Sequence, residues 1–285
     1  MSENKKPIKA GIIGWPISHS RSPLMHRYWL EKYGLDGSYD PLAVRPEDLE
    51  QILRGLAGQG FAGVNITIPH KEAAFTLVDE ADDAARRIGA VNTIIVGETG
   101  RLEGRNTDAF GFITHLHETL ADWRPDRGHA VILGAGGAVR AIAVALIDAG
   151  IGRILIANRT AKKAQQIADD LGGTIDVVLW EDREQALAGA GLLVNGTSLG
   201  MVGNAPLALS LDHLPQSAAV YDIVYAPLKT ALLEAAEARG NPVVDGLGML
   251  IHQARPAFEA WFGAMPEASA ELRDLLLADI DGDPA

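Results

Sequence analysis

The sequence predicts an α/β protein in two domains, the second a doubly wound parallel sheet, with C-terminal helices that return to the first domain. Three observations predict this class. Ala130-Val131-Ile132-Leu133 is a short apolar run that enters Gly134-Ala135-Gly136-Gly137-Ala138 and then a helical pattern from Val139 to Ala149. Strand, glycine turn and helix in that order open a βαβ unit. Beyond it, strand and helix patterns alternate as the crossovers of a parallel sheet require. The first part of the chain alternates too, with Asn65, Thr67, Asn92 and Asp108 at or just beyond strand ends, where open α/β sheets hold their ligands.

Composition narrows the function classes. The chain has 285 residues, 47% hydrophobic and 22% charged, an ordinary globular balance for two modest domains. Its net charge is −12 and no basic run stands out, so nucleic acid is not an expected partner. An anionic ligand must therefore be held by local donors. The absence of cysteine excludes disulfides and thiolate catalysis. Eight scattered histidines without an HExxH motif give no expected metal. Residues 1–6 are polar and no run is long enough to span a bilayer, so a cytoplasmic chain without a membrane partner is expected.

In the first domain, strands are expected at 8–13, 39–44, 62–68 and 90–96, with 102–105 returning as a hairpin arm after Glu98-Thr99-Gly100. Ser22-Pro23 reads as an N-cap and first helical position of a helix that stops at Gly34. Ser20 lacks that explanation, and a hydroxyl loop at a helix start can also hold a carboxylate. Further helices are expected from Pro46 to about Leu56, from Pro69 to about Val78, from 79 to 88, and from Ala109 to about Leu120. Lys71 falls in the first turn of the Pro69 helix, where the dipole disfavours a cation; this suits a group that gives up a proton, the alternative being a solvated surface lysine. Asp108 is either a ligand or the cap of the helix behind it.

The second domain is expected to carry strands at 130–133, 153–157, 175–178, 192–195, 219–224 and 242–244, with helices at 137–149, 160–171, 183–189 and 229–239. Its glycines allow close approach to a pyrophosphate at a helix start, although the third position of G-x-G-x-x-G is Val139. Its second strand decides the cofactor. An NAD site would end there in a carboxylate; here Asn158-Arg159-Thr160 follows, with Lys163 one turn on, so a 2′-phosphate and NADP are favoured. Gly196-Thr197-Ser198-Leu199-Gly200 matches the G-x-S-x-G of a nucleophile elbow. That motif needs a helix directly after the serine, and the residues that follow read as loop. A serine hydrolase using Ser198 is the rival reading. After Gly246, one helix to about Phe262 carries Gln253, a second follows from about Ala268 to Ala278, and the tail 279–285 is expected to fray.

Nine motifs in chain order resemble those of the shikimate dehydrogenase family: 16–23 (PISHSRSP), Asn65-x-Thr67-x-Pro69-x-Lys71, 89–93 (GAVNT), 106–108 (NTD), 134–138 (GAGGA), 158–160 (NRT), Asn195-x-Thr197-Ser198-x-Gly200-Met201, Tyr225-x-Pro227-x-x-Thr230, and Gly246-x-Gly248-Met249-Leu250-x-x-Gln253. Trp15, Arg27 and Val139 depart from the family pattern. The resemblance implies a substrate domain at 1–109, an NADP-binding domain at 110–245, and helices over 246–285 closing on the former. It implies that Ser20 and Ser22 hold a substrate carboxylate with Tyr225 near it, that Thr67, Asn92, Asp108 and Gln253 bind ring hydroxyls, and that Lys71 and Asp108 are the catalytic pair. NADP would contact Gly134, Ala135, Gly136, Gly137, Ala138, Asn158, Arg159, Thr160 and Lys163, with the nicotinamide near Thr197, Ser198, Gly200, Met201 and Gly246. The implied reaction is the NADPH-dependent reduction of 3-dehydroshikimate to shikimate on the way to chorismate and the aromatic amino acids, a quinate/shikimate paralogue being the alternative. Monomer and homodimer both stay open.

Overall fold

The computed structural model describes residues 7–282; the polar stretch 1–6 and the last three residues lie outside it. The chain forms two compact units. One comprises the residues up to Thr107 together with Gln253–Leu276; the other comprises Asp108–His252 and the residues from Leu277 on.

The first unit is built in chain order from β1 (Ile8–Gly14), α1 (Ser22–Lys32), β2 (Gly37–Ala43), α2 (Leu49–Gly55), β3 (Phe61–Ile66), α3 (Lys71–Leu77), β4 (Glu80–Ala81), α4 (Asp83–Ile88), β5 (Thr93–Val96) and β6 (Leu102–Arg105). Its sheet runs β2-β1-β3-β5-β6-β4. The pairs β1/β2 and β1/β3 are parallel, while β3/β5 and β5/β6 are antiparallel. One face buries Ile13, Val64, Ile66, Leu49, Leu53, Leu56 and Ile94. Two expectations need correction here. Residues 79–88 are not one helix, because Glu80–Ala81 pairs with Glu103–Gly104 as a short edge strand and Asp82 then caps α4 through its side chain. Residues 90–92 are not strand but a turn into β5.

The second unit opens with α5 (Asp108–Thr119) and continues β7 (His129–Leu133), α6 (Gly137–Asp148), β8 (Ile154–Ala157), α7 (Ala161–Leu171), β9 (Ile175–Val178), β10 (Ala190–Asn195), β11 (Ala219–Asp222), α8 (Ala231–Ala238) and β12 (Val243–Val244). The order β12-β11-β10-β7-β8-β9 is all parallel, the doubly wound arrangement with its switch point at β7/β10. Between β9 and β10 the expected helix at 183–189 is instead two single 3₁₀ turns, 180–182 and 185–187. Apolar clusters fill both sheet faces.

Last come α9 (Leu247–Phe262) and α10 (Ala270–Gly282). The division between the units falls within α9, after His252. Residues 279–282, expected to fray, are helical. In the first unit, α9 packs by its aromatic side chains. Trp261 donates its indole N–H to the Ile94 carbonyl at 3.1 Å, and it lies so close to β3 that a Cβ on Gly63 would stand 2.0 Å from that nitrogen. Only glycine fits at that point of the strand.

Candidate active site

The first unit's candidates gather at the carboxyl ends of β1 and β3. Thr67 directly follows β3 and its N–H donates to Ile13 at 2.9 Å. Lys71 is the first residue of α3, half-buried, and its carbonyl accepts from Val91 N–H at 2.9 Å. That bond ties the helix start to the turn carrying Asn92. Asn92 is buried. Its Nδ2 donates to Thr107 Oγ1 at 2.9 Å and to Gln253 Oε1 at 3.2 Å, and its Oδ1 accepts from Thr107 N–H at 2.9 Å. Two expected ligands far apart in sequence, Asn92 and Gln253, are thus side-chain neighbours. Asn92 also organises its surroundings, since both its amide hydrogens are engaged within the protein.

Behind Asn92 lies a relay in which Asn65, singled out by its place at a strand end, is joined by Tyr39, which sequence reasoning missed. Asn65 Nδ2 donates to the Asn92 carbonyl and to Thr93 Oγ1, each at 3.1 Å. Its Oδ1 accepts from Tyr39 Oη at 2.6 Å. Tyr39 is fully buried, which pushes its phenol well above the usual tyrosine range, and it also hydrogen-bonds the Ser22 side chain. Ser22 is therefore not the helix cap. It is the first helical residue, Arg21 stands at the cap position without a side-chain bond, and Ser20 Oγ accepts from Ser22 N–H at 3.3 Å. The imidazole of His26 stacks on Tyr39 with centroids 3.8 Å apart and planes 5° from parallel. Neither of its nitrogens has a hydrogen-bond partner among the described residues, and burial lowers its pKa to about 3. Asp108, expected as ligand or cap, is buried and is the first residue of α5. Of the unusual positions, Arg27 pairs with Asp40 on the surface at 3.1 Å, and Trp15 is exposed beneath the Arg45 guanidinium.

In the second unit, the carboxyl ends of four strands stand in a row. Ala157 pairs with Leu133, Leu133 with Asn195, and Asn195 with Asp222. The segments leaving this edge carry the cofactor candidates Asn158-Arg159-Thr160, Gly134 to Ala138 and Gly196 to Met201, and the stretch 223–230 with the substrate candidate Tyr225. Gly134 has φ +108, which favours glycine, and its N–H donates to Ala157 at 2.8 Å. The helix α6 then starts at Gly137 with Gly136 at its cap and no capping side chain. No heavy atom lies within 4 Å of where a Gly136 Cβ would stand. Unsatisfied amide donors with open space before them fit a dinucleotide phosphate. Val139 explains the missing third glycine. It is buried, and the absent Cβ of Gly196 would meet its Cγ2 at 2.4 Å, so the close approach is made by the neighbouring strand's glycine. Arg159 and Lys163 are both exposed at the end of β8 and on α7, and Asn158 Nδ2 donates to the Thr160 carbonyl at 2.9 Å. Thr197 Oγ1 donates to Asn195 Oδ1 at 2.7 Å. Ser198 is exposed in a loop, and the next regular element after it is β11, so the helix of a nucleophile elbow is absent. Tyr225 and Gly246 follow β11 and β12, Gly246 being buried.

Three family models match in chain order: a shikimate dehydrogenase substrate binding domain over residues 12–94, shikimate/quinate 5-dehydrogenase over 118–202, and a shikimate 5′-dehydrogenase C-terminal domain over 246–270. The chain belongs to the shikimate dehydrogenase family. Among its relatives, a shikimate dehydrogenase (NADP(+)) of Paramagnetospirillum magneticum is 56% identical over 94% of this chain and 98% of its own. Quinate dehydrogenase from Corynebacterium glutamicum, solved with NAD, superposes with TM-score 0.89 at 33% identity, covering 95% of this chain and 99% of the other. Shikimate 5-dehydrogenase from Thermus thermophilus, solved with NADP(H) and shikimate, superposes with TM-score 0.83 at 38% identity over 96% and 99%.

Proposed function

We propose that this chain catalyses the reversible NADPH-dependent reduction of 3-dehydroshikimate to shikimate, a step toward chorismate and the aromatic amino acids. The observation that carries the reading is the collinear likeness, over 94% of the chain, to a relative named shikimate dehydrogenase (NADP(+)). Ser20, Ser22 and Tyr225 hold the substrate carboxylate. Thr67, Asn92, Asp108 and Gln253 orient the ring hydroxyls. The turn 134–138 takes the pyrophosphate, Asn158, Arg159, Thr160 and Lys163 the phosphorylated ribose, and Thr197, Ser198, Gly200, Met201 and Gly246 the nicotinamide end. Bound NADPH supplies the hydride. As the ketone carbon becomes tetrahedral, negative charge grows on its oxygen, and Lys71 donates a proton there; in the oxidative direction its neutral amine takes the hydroxyl proton. Asp108 fixes the hydroxyl and the ammonium. Orientation of the reacting groups supplies much of the acceleration.

The test is a set of initial rates with shikimate and quinate, each with NADP+ and NAD+. The highest kcat/KM is expected for shikimate with NADP+; a preference for quinate, or no turnover of either, overturns the proposal. Replacing Arg159 by alanine removes a charge-assisted contact to the 2′-phosphate. It is expected to lower kcat/KM for NADP+ by about 10–100-fold while leaving that for NAD+ near wild type. Equal losses with both cofactors would assign Arg159 no part in selectivity.

A further inference from the structure

Asp222 is a carboxylate that the reaction above does not use, and it is fully buried at the end of β11. Its Oδ1 accepts from Asn195 Nδ2 at 2.9 Å and from Val224 N–H at 3.0 Å, and its Oδ2 accepts from Thr230 Oγ1 at 2.7 Å. All three partners are donors and none is a cation. Burial pushes its carboxyl up to about 6 against the pull of those bonds. A buried carboxylate without a counter-charge costs stability, so its retention calls for an account of what the three bonds hold.

Each bond leads into a different segment at the sheet edge. Asn195 turns its other amide atom to Thr197, accepting from both its N–H at 3.1 Å and its hydroxyl at 2.7 Å, while Thr197 Oγ1 accepts from Leu199 N–H at 3.1 Å. Asn195 Nδ2 also donates to the Leu199 carbonyl at 3.1 Å. The loop 196–199 is thereby folded onto one asparagine, and Asp222 orients that asparagine. The Val224 bond sets the start of 223–230, against which Gly246 packs with no room for a side chain: a Cβ there would lie 2.3 Å from the Ile223 carbonyl oxygen and 2.6 Å from that of Val224. Thr230 caps α8 through Leu233 N–H, and a Cβ on Gly200 would rest 3.7 Å from it. Val202 N–H closes the set by donating to the Ala226 carbonyl at 2.8 Å.

We infer that Asp222 is a positioning residue for the nicotinamide half of the cofactor: through Asn195, Val224 and Thr230 it ties the loop 196–202 and Gly246, which take that half, to the stretch 223–230 between them. The inference rests on the assignment of Thr197, Ser198, Gly200, Met201 and Gly246 to the nicotinamide. It makes a division within the cofactor site, because Arg159, which takes the phosphorylated ribose, and the glycine turn, which takes the pyrophosphate, share none of these hydrogen bonds.

The experiment measures dissociation constants for NADPH, by its fluorescence, and for adenosine 2′,5′-bisphosphate, which lacks the nicotinamide, by calorimetry on the whole chain. Asp222→Ala and Thr230→Val are expected to weaken NADPH by about tenfold and to leave the bisphosphate within about twofold of wild type. Asp222→Asn and Thr230→Ser, which keep the contacts by reorienting an amide or a hydroxyl, are expected to restore NADPH affinity. A general loosening of the domain would weaken both ligands together. That outcome, or wild-type NADPH affinity in Asp222→Ala, overturns the inference; should Asp222→Ala fail to fold, Thr230→Val decides on the same terms. Failure of the wild-type chain to bind NADPH or to oxidise shikimate would instead overturn the proposed function.

Discussion

Lys71→Ala is expected to lower kcat for shikimate oxidation by about 10²–10⁴-fold, the range for a lost proton-transfer group, with little change in the KM for shikimate. The split follows from where binding and chemistry reside. Seven other side chains are assigned to the carboxylate and the ring hydroxyls, so the ground state loses little when the amine goes. The transition state loses the group that meets charge growing on oxygen, and an interaction made only there appears in kcat. Lys71 is suited to this. It is half-buried at the first residue of α3, and its own carbonyl is pinned to Val91. Lys71→Arg adds a second comparison. It keeps the positive charge but cannot release the proton, so it is expected to fall with alanine rather than with wild type. Steady-state rates over a range of shikimate concentrations check both, and wild-type turnover in either variant would remove Lys71 from the chemistry.

The parts of this molecule legible in its sequence are those set by local chemistry. The run 130–133 into glycines and helix needed only periodicity and φ freedom, and it reappears as β7, a turn with Gly134 at positive φ, and α6. Polar residues at strand ends pointed to Asn65 and Asn92, and the same rule applied evenly would have selected Asn195 and Asp222. What stayed hidden depends on partners distant in sequence. Glu80–Ala81 is strand only because Glu103–Gly104 offers it an edge. Ser22 has the composition of a cap, yet its hydroxyl is engaged by Tyr39, which belongs to β2. Val139 breaks the dinucleotide fingerprint in one dimension, whereas in three the space is supplied by Gly196. Tyr39 reads as one aromatic of an ordinary strand until its hydroxyl is seen to hold Asn65.

His26 makes the second large effect one of stability. Its pKa is about 3 in the folded chain against 6.5 for the free side chain, through burial alone. A depressed folded value means the contribution is fully present above pH 6.5 and is lost as pH falls toward 3, because the unfolded chain takes up the proton first. At 1.36 kcal/mol per unit, the loss is about 2 kcal/mol by pH 5 and about 5 kcal/mol at the limit. Wild-type melting alone would not display it. Asp222, raised to about 6 from 3.8, has the opposite sign: the fold binds its proton first, so it gains stability as pH falls from 6 toward 4 and offsets much of the His26 loss. The informative quantity is the difference between His26→Phe and wild type, in which Asp222 cancels. Phenylalanine keeps an aromatic ring against Tyr39 and removes the two unpartnered nitrogens. Its greater bulk adds a cost that does not vary with pH. Relative to wild type, the variant is therefore expected to gain about 1.4 kcal/mol per pH unit below 6.5 and nothing above pH 7.5. Urea unfolding at half-unit intervals from pH 8 to 5 measures that slope, and a flat difference would mean that His26 is protonated within the fold.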